Sequence, residues 1–436
     1  MSAQPGGAPD PFEGEQWTPL PRRPGVPPQR VRVERADDHP ATRSPVPDDS
    51  GSARDGTIDV LAHDADGALI RLRHRAPAAR AVAAQINGWW HPDPPDGLDL
   101  APEEGGWFGG VIRVPADLCA SITFLEHEGS GDPPWWSEGL KGSRPGGPSA
   151  AQRSRARADG THVLDLPRGR HLVGPASATV STHELPGPAD GPRARWCLIG
   201  GTEGTSEAAV LIATDGEAHV DRLDTPGLLA EAVRAGSLPP LLAVFVDAWP
   251  ERSRDLGVPG GHAAWIAEHL VPRLREEGLR PPDGGRRVRA DPDPRRTIVT
   301  GASFGGLTAL FALARAPQLI GGAIAQSVSL WRYPRLALAP PLRAALDAAG
   351  PGGARVRLHA GRYEGTMNAD ARELAEAVAG ATGSRRAAEP RDTAEARIPV
   401  RLQGGGHDWA WWQPAMIEEL TDLLADSAAQ SSRRTP

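Results

Sequence analysis

The sequence predicts an α/β fold, a doubly wound and mostly parallel sheet, preceded by an all-β segment. Three observations predict it. Between about residues 55 and 180, short apolar and β-branched runs are separated by turn residues, with no helix-length periodic segment among them. Beyond about residue 190, strands alternate with helical stretches, the pattern of a parallel sheet covered on both faces. Leu241-Leu242-Ala243-Val244-Phe245-Val246-Asp247 is almost wholly apolar, as a strand buried on both faces must be.

Taken in order, residues 1–54 are rich in Pro, Gly, Arg, Asp and Ser and poor in apolar side chains. Such a segment buries too little surface to offset its ordering entropy, so most of it is expected to be a disordered tail, with Val31-Arg32-Val33 as a short edge strand. Residues 55–180 hold the runs Thr57–Leu61, Ala68–Leu72, Ala81–Ile86, Gly110–Val114 and Ala120–Leu125, punctuated by Asp64-Ala65-Asp66-Gly67 and Asn87-Gly88. Short strands at this spacing predict an immunoglobulin-like sandwich. Its long Gly, Pro, Ser and Arg loop, 129–160, carries Trp135-Trp136 near its start. Loops of that length are usually functional or disordered. After Pro186-Gly187-Pro188 the α/β domain spans 190–428, and 429–436 is read as a flexible tail.

The bulk numbers exclude several classes of function. In the 436 residues, 48 Lys and Arg against 55 Asp and Glu give a net charge of −7, which argues against a general nucleic-acid binder. Two cysteines, Cys119 and Cys197, are too few for a disulfide framework or a structural zinc site and fit a reducing compartment. The N-terminus shows no basic segment followed by an apolar run, and no stretch reaches 18 uninterrupted apolar residues. The expected location is therefore the cytoplasm, with no membrane partner. Nothing in the pattern sets an oligomeric state.

The chemistry centres on Thr297-Ile298-Val299-Thr300-Gly301-Ala302-Ser303-Phe304-Gly305-Gly306-Leu307, a strand, a Gly-x-Ser-x-Gly turn and the start of a helix. In that setting the serine sits on a sharp bend with its Oγ above the sheet. The pattern alone is weak; the visible strand and helix give it weight. A serine nucleophile needs an acid and then a histidine, each on a loop after a later strand. His407 lies in Gln403-Gly404-Gly405-Gly406-His407-Asp408, after the last strand. Glu364 immediately follows the strand ending at Gly361 and is favoured as the acid over Asp370, which lies within the next helix. Asp408 is expected to hold its own loop through an Asx-type bond. Two backbone N–H groups should stabilise an oxyanion: that of Phe304, and that of Gly216 or Glu217 in the turn after an earlier strand. Arg252, Arg254 and Asp255 follow the strand ending at Asp247, at the carboxyl edge where such sheets bind ligands, although a solvated surface pair fits them equally well.

Phe245-Val246-Asp247 through Arg252-Ser253-Arg254-Asp255-Leu256, Gly301–Leu307, Ala325-Gln326-Ser327-Val328-Ser329-Leu330-Trp331 and Gly405-Gly406-His407-Asp408 together resemble the enterochelin esterases, in the esterase D-like branch of the α/β-hydrolases. The resemblance covers about 195–428, and residues 55–175 are similar in layout to the N-terminal domain of that family. It implies hydrolysis of the ester bonds of tri-catecholate trilactone siderophores such as enterobactin, with release of iron inside the cell. It places the family's serine, histidine and acid at Ser303, His407 and Glu364. It places the family's arginine at Arg252, with Asp255 where glutamate is commoner. The substrate would be a small, anionic ester, with or without bound iron. Arg252, Arg254 and some of the loop arginines Arg153, Arg155 and Arg157 would supply cationic donors, and Trp135 and Trp136, or Trp409 and Trp411, would supply faces for catechol rings. At least one of Trp411 and Trp412 reads more simply as starting and anchoring the last helix. No cofactor or protein-held metal is implied. Two other readings remain from the sequence: an esterase acting on feruloyl, acetyl or carbohydrate-linked esters, and an inactive hydrolase-fold binding protein.

Overall fold

A computed structural model describes residues 10–20, 34–36, 56–65, 67–87, 98–133, 161–166, 170–171, 180–185, 191–201, 206–248, 252–282, 284–349, 353–380 and 398–432. Val31–Val33 and residues 134–160 of the long loop lie outside them.

The N-terminal part is a β domain. Its strands are β1 (Glu34–Arg35), β2 (Gly56–Asp64), β3 (Gly67–Arg75), β4 (Ala81–Ile86), β5 (Leu98–Pro102), β6 (Trp107–Val114), β7 (Cys119–His127), β8 (Thr161–Asp165) and β9 (Arg170–His171). They run in the order β2-β3-β6-β5-β4-β7-β8-β9, with β1 on β6. Every pairing is antiparallel. Strand β5 joins two halves: Leu98–Leu100 pair with β4, and Ala101–Pro102 pair with β6. Alternating inward residues Ile70, Leu72, Val82, Ala84, Ile112, Val114, Ile122 and Phe124 build one core between the halves. The β2–β3 turn closes at Gly67, whose amide donates to Asp64 Oδ1 at 3.1 Å.

The second sheet begins with β10 (His183–Glu184) and β11 (Ala194–Ile199), both antiparallel. Strands β12 (Glu207–Thr214), β13 (Leu241–Val246), β14 (Arg289–Ala290), β15 (Thr297–Ala302), β16 (Gly322–Gln326), β17 (Arg355–Gly361) and β18 (Val400–Gln403) follow. The order is β10-β11-β13-β12-β15-β16-β17-β18, parallel from β13 to β18, with β14 on β12. One face is covered by α1 (Gly216–Asp221), α2 (Thr225–Arg234) and part of α9 (Trp409–Ser432). The other is covered by α4 (His262–Trp265), α5 (Val271–Glu276), α6 (Phe304–Arg315), α7 (Ala339–Ala348) and α8 (Met367–Ala379); α3 (Arg252–Asp255) is a single turn at the carboxyl edge. β13 is buried along its whole length, the physical reason its sequence does not alternate. This is the α/β-hydrolase architecture. The direction of winding reverses at β12, so the crevice at the carboxyl ends lies between the loops after β12 and β15.

The stretch 10–20 departs from the expected disordered tail. Phe12 and Trp17 are buried against the catalytic domain, edge-on to Phe311 at 4.9 and 5.6 Å, and Trp17 also meets Tyr333 at 5.4 Å. Asp10 pairs with Arg315 at 2.9 Å. Two aromatic rings and one ion pair fix a segment whose average composition is that of a mobile chain.

Candidate active site

β15 ends at Ala302, and Ser303 takes φ 61° and ψ −115° before α6 begins. A non-glycine residue there is strained by about 1–3 kcal/mol. The bend is held by Ser303 N–H donating to Gln326 O at 2.8 Å. The flanking glycines are sterically required: a Cβ on either Gly301 or Gly305 would collide with Thr214 Oγ1 at the end of β12. The motif thus lets the elbow press directly on the neighbouring strand. Ser303 Oγ lies 3.1 Å from the Oγ of buried Ser329, on the loop after β16.

His407 and Glu364 meet as the order of the strands predicts. Glu364 follows β17 in a tight turn, and its Oε2 accepts the Gly361 amide at 2.6 Å. Its Oε1 lies 2.8 Å from His407 Nδ1. The carboxylate is 1% exposed and the imidazole 41% exposed. The carboxylate is therefore locked while the imidazole stays exposed. The His407 ring also stands edge-on to Trp412 at 4.7 Å. With Nδ1 committed to Glu364, Nε2 is the atom left for proton exchange. Ser303–His407 is not among the hydrogen bonds of the described residues; in unliganded hydrolases this contact commonly tightens only in the complex. Asp370 sits in α8 with its carboxyl pushed up by burial, and the carboxylate bonded to His407 is that of Glu364.

Two backbone segments at this edge carry amides that precede a helical ladder. In α6 the first amide bonding back is Leu307, to Ser303 O at 3.4 Å, so the Phe304 N–H precedes the helical ladder. In the loop after β12, Ala218 and His219 are the first to bond back, both to Asp215 O, and the Gly216 and Glu217 N–H groups precede them. Gly216 packs so closely on Phe245 and Asp247 that a Cβ would meet atoms 2.7–2.9 Å away. Glu217 uses its Oε2 to accept the Ala248 amide at 3.0 Å, which steadies the same loop.

Arg252 is engaged inside the protein. Its Nε and Nη2 donate to Asp215 Oδ1 and Oδ2 at 2.5 and 3.0 Å, and Nη2 also reaches Ala302 O at 3.3 Å. This bidentate pair fastens the loop after β12 to the residue preceding Ser303. Asp215 needs that support, since it sits at φ 57°. Arg254 is exposed on α3. The Phe304 ring is flanked by Arg252 and Arg332 guanidinium carbons at 5.7 and 5.1 Å and by Trp331 at 5.8 Å. Trp409 is half-buried, edge-on to His219 at 5.2 Å and Trp412 at 5.0 Å. Trp411 and Trp412 are anchors: their indole N–H groups donate to Gly406 O at 2.6 Å and Ser327 Oγ at 2.7 Å. Trp135, Trp136, Arg153, Arg155 and Arg157 lie outside the described residues. Burial holds His219, which bonds Thr225 Oγ1 at 2.9 Å, down to about 4 and keeps it neutral.

Sequence reasoning missed Ser329, Asp215, and the contacts of Asn87 and Ser121 with the histidine loop. None carries a local signal, because each acquires its role from an element distant in the chain.

The model of the family described as "Putative esterase" matches residues 202–423. The iron(III) salmochelin esterase of Escherichia coli O6:H1 is 27% identical over 223 residues, 48% of this chain and 49% of that protein. The iron(III) enterobactin esterase of Dickeya dadantii is 27% identical over 261 residues, 56% of this chain and 54% of that protein. The matched stretch thus spans about half the length of these curated relatives. Among solved structures, the enterobactin esterase of Shigella flexneri crystallised in the presence of enterobactin superposes with a TM-score of 0.62 at 19% identity, over 86% of this chain and 97% of that one. At that identity the likeness speaks for the fold. The family match covers the whole elbow, acid and histidine arrangement, and the chain belongs to this esterase family, within which it resembles the iron(III) enterobactin and salmochelin esterases.

Proposed function

We propose that the chain is a serine esterase that hydrolyses the ester bonds of a catecholate trilactone siderophore, iron-loaded or free, as the names of its relatives suggest. The observation that carries the reading is the meeting of Glu364 and His407 on the loops after β17 and β18, in a sheet whose strand β15 ends in a strained serine.

The chemistry follows from those atoms. Ser303 Oγ attacks the ester carbonyl while His407 Nε2 takes its proton. The imidazolium is stabilised at Nδ1 by the buried Glu364 carboxylate. The oxyanion is received by the N–H of Phe304 and that of Gly216 or Glu217. His407 then protonates the leaving alkoxide, and an acyl group remains on Ser303. A water activated by His407 releases it by the reverse route. Around this centre, Arg332 and Arg254 offer positive charge to an anionic catecholate, and Trp409 offers an aromatic edge. Arg252 contributes mainly by holding the Asp215 loop.

The same proposal includes the division into a segment 1–54, a β domain 55–180 of immunoglobulin-like type, a catalytic domain 190–428 and a terminal segment 429–436. Two half-sheets joined through β5 around one core support the sandwich reading. A cytoplasmic site of action fits Cys119 and Cys197, both buried thiols. No helix among the described residues is long and apolar enough to cross a membrane.

The test is turnover of p-nitrophenyl butyrate. Wild type should hydrolyse it, and Ser303→Ala should lose about ten-thousand-fold or more in kcat. A wild type inert on every ester tried, or an active Ser303→Ala variant, overturns the reading.

A further inference from the structure

The loop that carries His407 is docked on the β domain as well as on its own. Cys119 N–H donates to Gly404 O at 2.9 Å, continuing the backbone pairing of β7 into the loop. Gly404 and Gly405 have no room for a side chain there: a Cβ on Gly404 would collide with Asp117 O, and one on Gly405 would come 2.6 Å from Cys119 O. Asn87 Nδ2 donates to His407 O at 3.1 Å. Ser121 donates twice to Asp408 Oδ2, from its amide at 2.6 Å and its hydroxyl at 2.9 Å. Asp408 Oδ1 accepts the Ala410 amide at 3.1 Å, the Asx-type bond within its own loop. One carboxylate therefore ties the start of α9 to β7. On the acid's side, Arg362 pairs with Asp117 at 3.1 Å, and Tyr363 packs on the core of the β domain.

The contacts converge on the two loops that must stay in register, one carrying the acid and the other the base. Burial pushes the Asp408 carboxyl up, and the bonds from Ser121, Ala410 and Asn87 offset only part of that. Asp408 is 4% exposed, so its charge is compensated mainly by donors that the β domain supplies.

We propose that the β domain is a structural part of the active centre, and that Asn87, Ser121 and Asp408 are positioning residues that set His407 against Ser303. The proposal rests on the esterase reading above for its effect on rate, though not for the docking itself. None of the three touches the reacting atoms. A misplaced base costs turnover rather than binding, because a small acyl ester gains little affinity from the histidine loop.

The test uses the full chain carrying Asn87→Ala, Ser121→Ala or Ser121→Thr. Two quantities are read: kcat and KM on p-nitrophenyl butyrate, and amide hydrogen exchange of Gln403–Asp408. The two alanine variants should each lose about 10- to 100-fold in kcat, with KM within about twofold of wild type. Exchange in the loop should accelerate while that of β15 and β16 stays as in wild type. Ser121→Thr keeps the hydroxyl and should recover most of kcat. Asn87 is half-buried at the domain edge, so its truncation keeps the test available should Ser121→Ala unfold. Wild-type exchange in both alanine variants overturns the proposal, whatever happens to kcat. Fast exchange with unchanged kcat overturns the positioning role. A wild type that hydrolyses no ester sinks the esterase reading, and exchange alone then decides the docking: fast exchange in the variants upholds it.

Discussion

Glu364 and His407 divide one job unequally. Glu364 is 1% exposed and spends Oε2 on the Gly361 amide, so only Oε1 faces the imidazole. A carboxylate fixed in this way sets both the tautomer and the tilt of the ring. Glu364→Gln keeps the shape but presents an amide N–H to Nδ1 or to Gly361. It should lower kcat by about a thousandfold or more with little change in KM, read from steady-state kinetics on a p-nitrophenyl ester. A drop confined to KM would contradict the assignment. His219 gives a second prediction at this scale. Its folded value is depressed from 6.5 to about 4 by burial, so the unfolded chain takes up the proton first as the pH falls. The stability this neutral imidazole contributes is complete above about pH 6.5 and is lost progressively towards pH 4, about 3 kcal/mol in all. His219→Gln, able to keep a bond to Thr225, should flatten that part of the stability profile in urea titrations at pH 7 and pH 4.5.

At the level of elements, the residues that a reader of the sequence finds are those announced by their own strand. Ser303, Glu364 and His407 lie one, three and four residues after the ends of β15, β17 and β18, so strand order points to them. Arg252 shows the opposite case. Its place after β13 points to a ligand-facing charge, yet its partner is Asp215 after β12, and only the adjacency of those strands reveals it. Trp411 and Trp412 were legible as anchors because they open a helix, whereas their acceptors Gly406 and Ser327 were not. The stretch 10–20 was hidden for a different reason: a tail-wide average conceals two aromatics that fill a gap beside α6. Trp17→Ala removes a side chain that is 8% exposed and meets Phe12, Phe311 and Tyr333. It should destabilise the chain by about 3 kcal/mol in chemical unfolding while leaving KM unchanged. An unaltered unfolding midpoint would mean that the segment does not stay seated in solution.

Over the whole molecule, the α/β-hydrolase sheet was readable because alternation of strand and helix is written locally. The joining of the two domains was not, since it depends on Asn87, Asp117, Cys119 and Ser121 meeting residues 362–408 across the fold. That seam brings the β domain beside the histidine loop. The central claim is that Ser303 opens such a ring. The most direct measurement is mass spectrometry of ferric enterobactin incubated with wild type and with Ser303→Ala. The account predicts linear dihydroxybenzoyl-serine products from wild type and intact trilactone from the variant. Intact trilactone from wild type, alongside good turnover of a feruloyl or carbohydrate-linked ester, would contradict it.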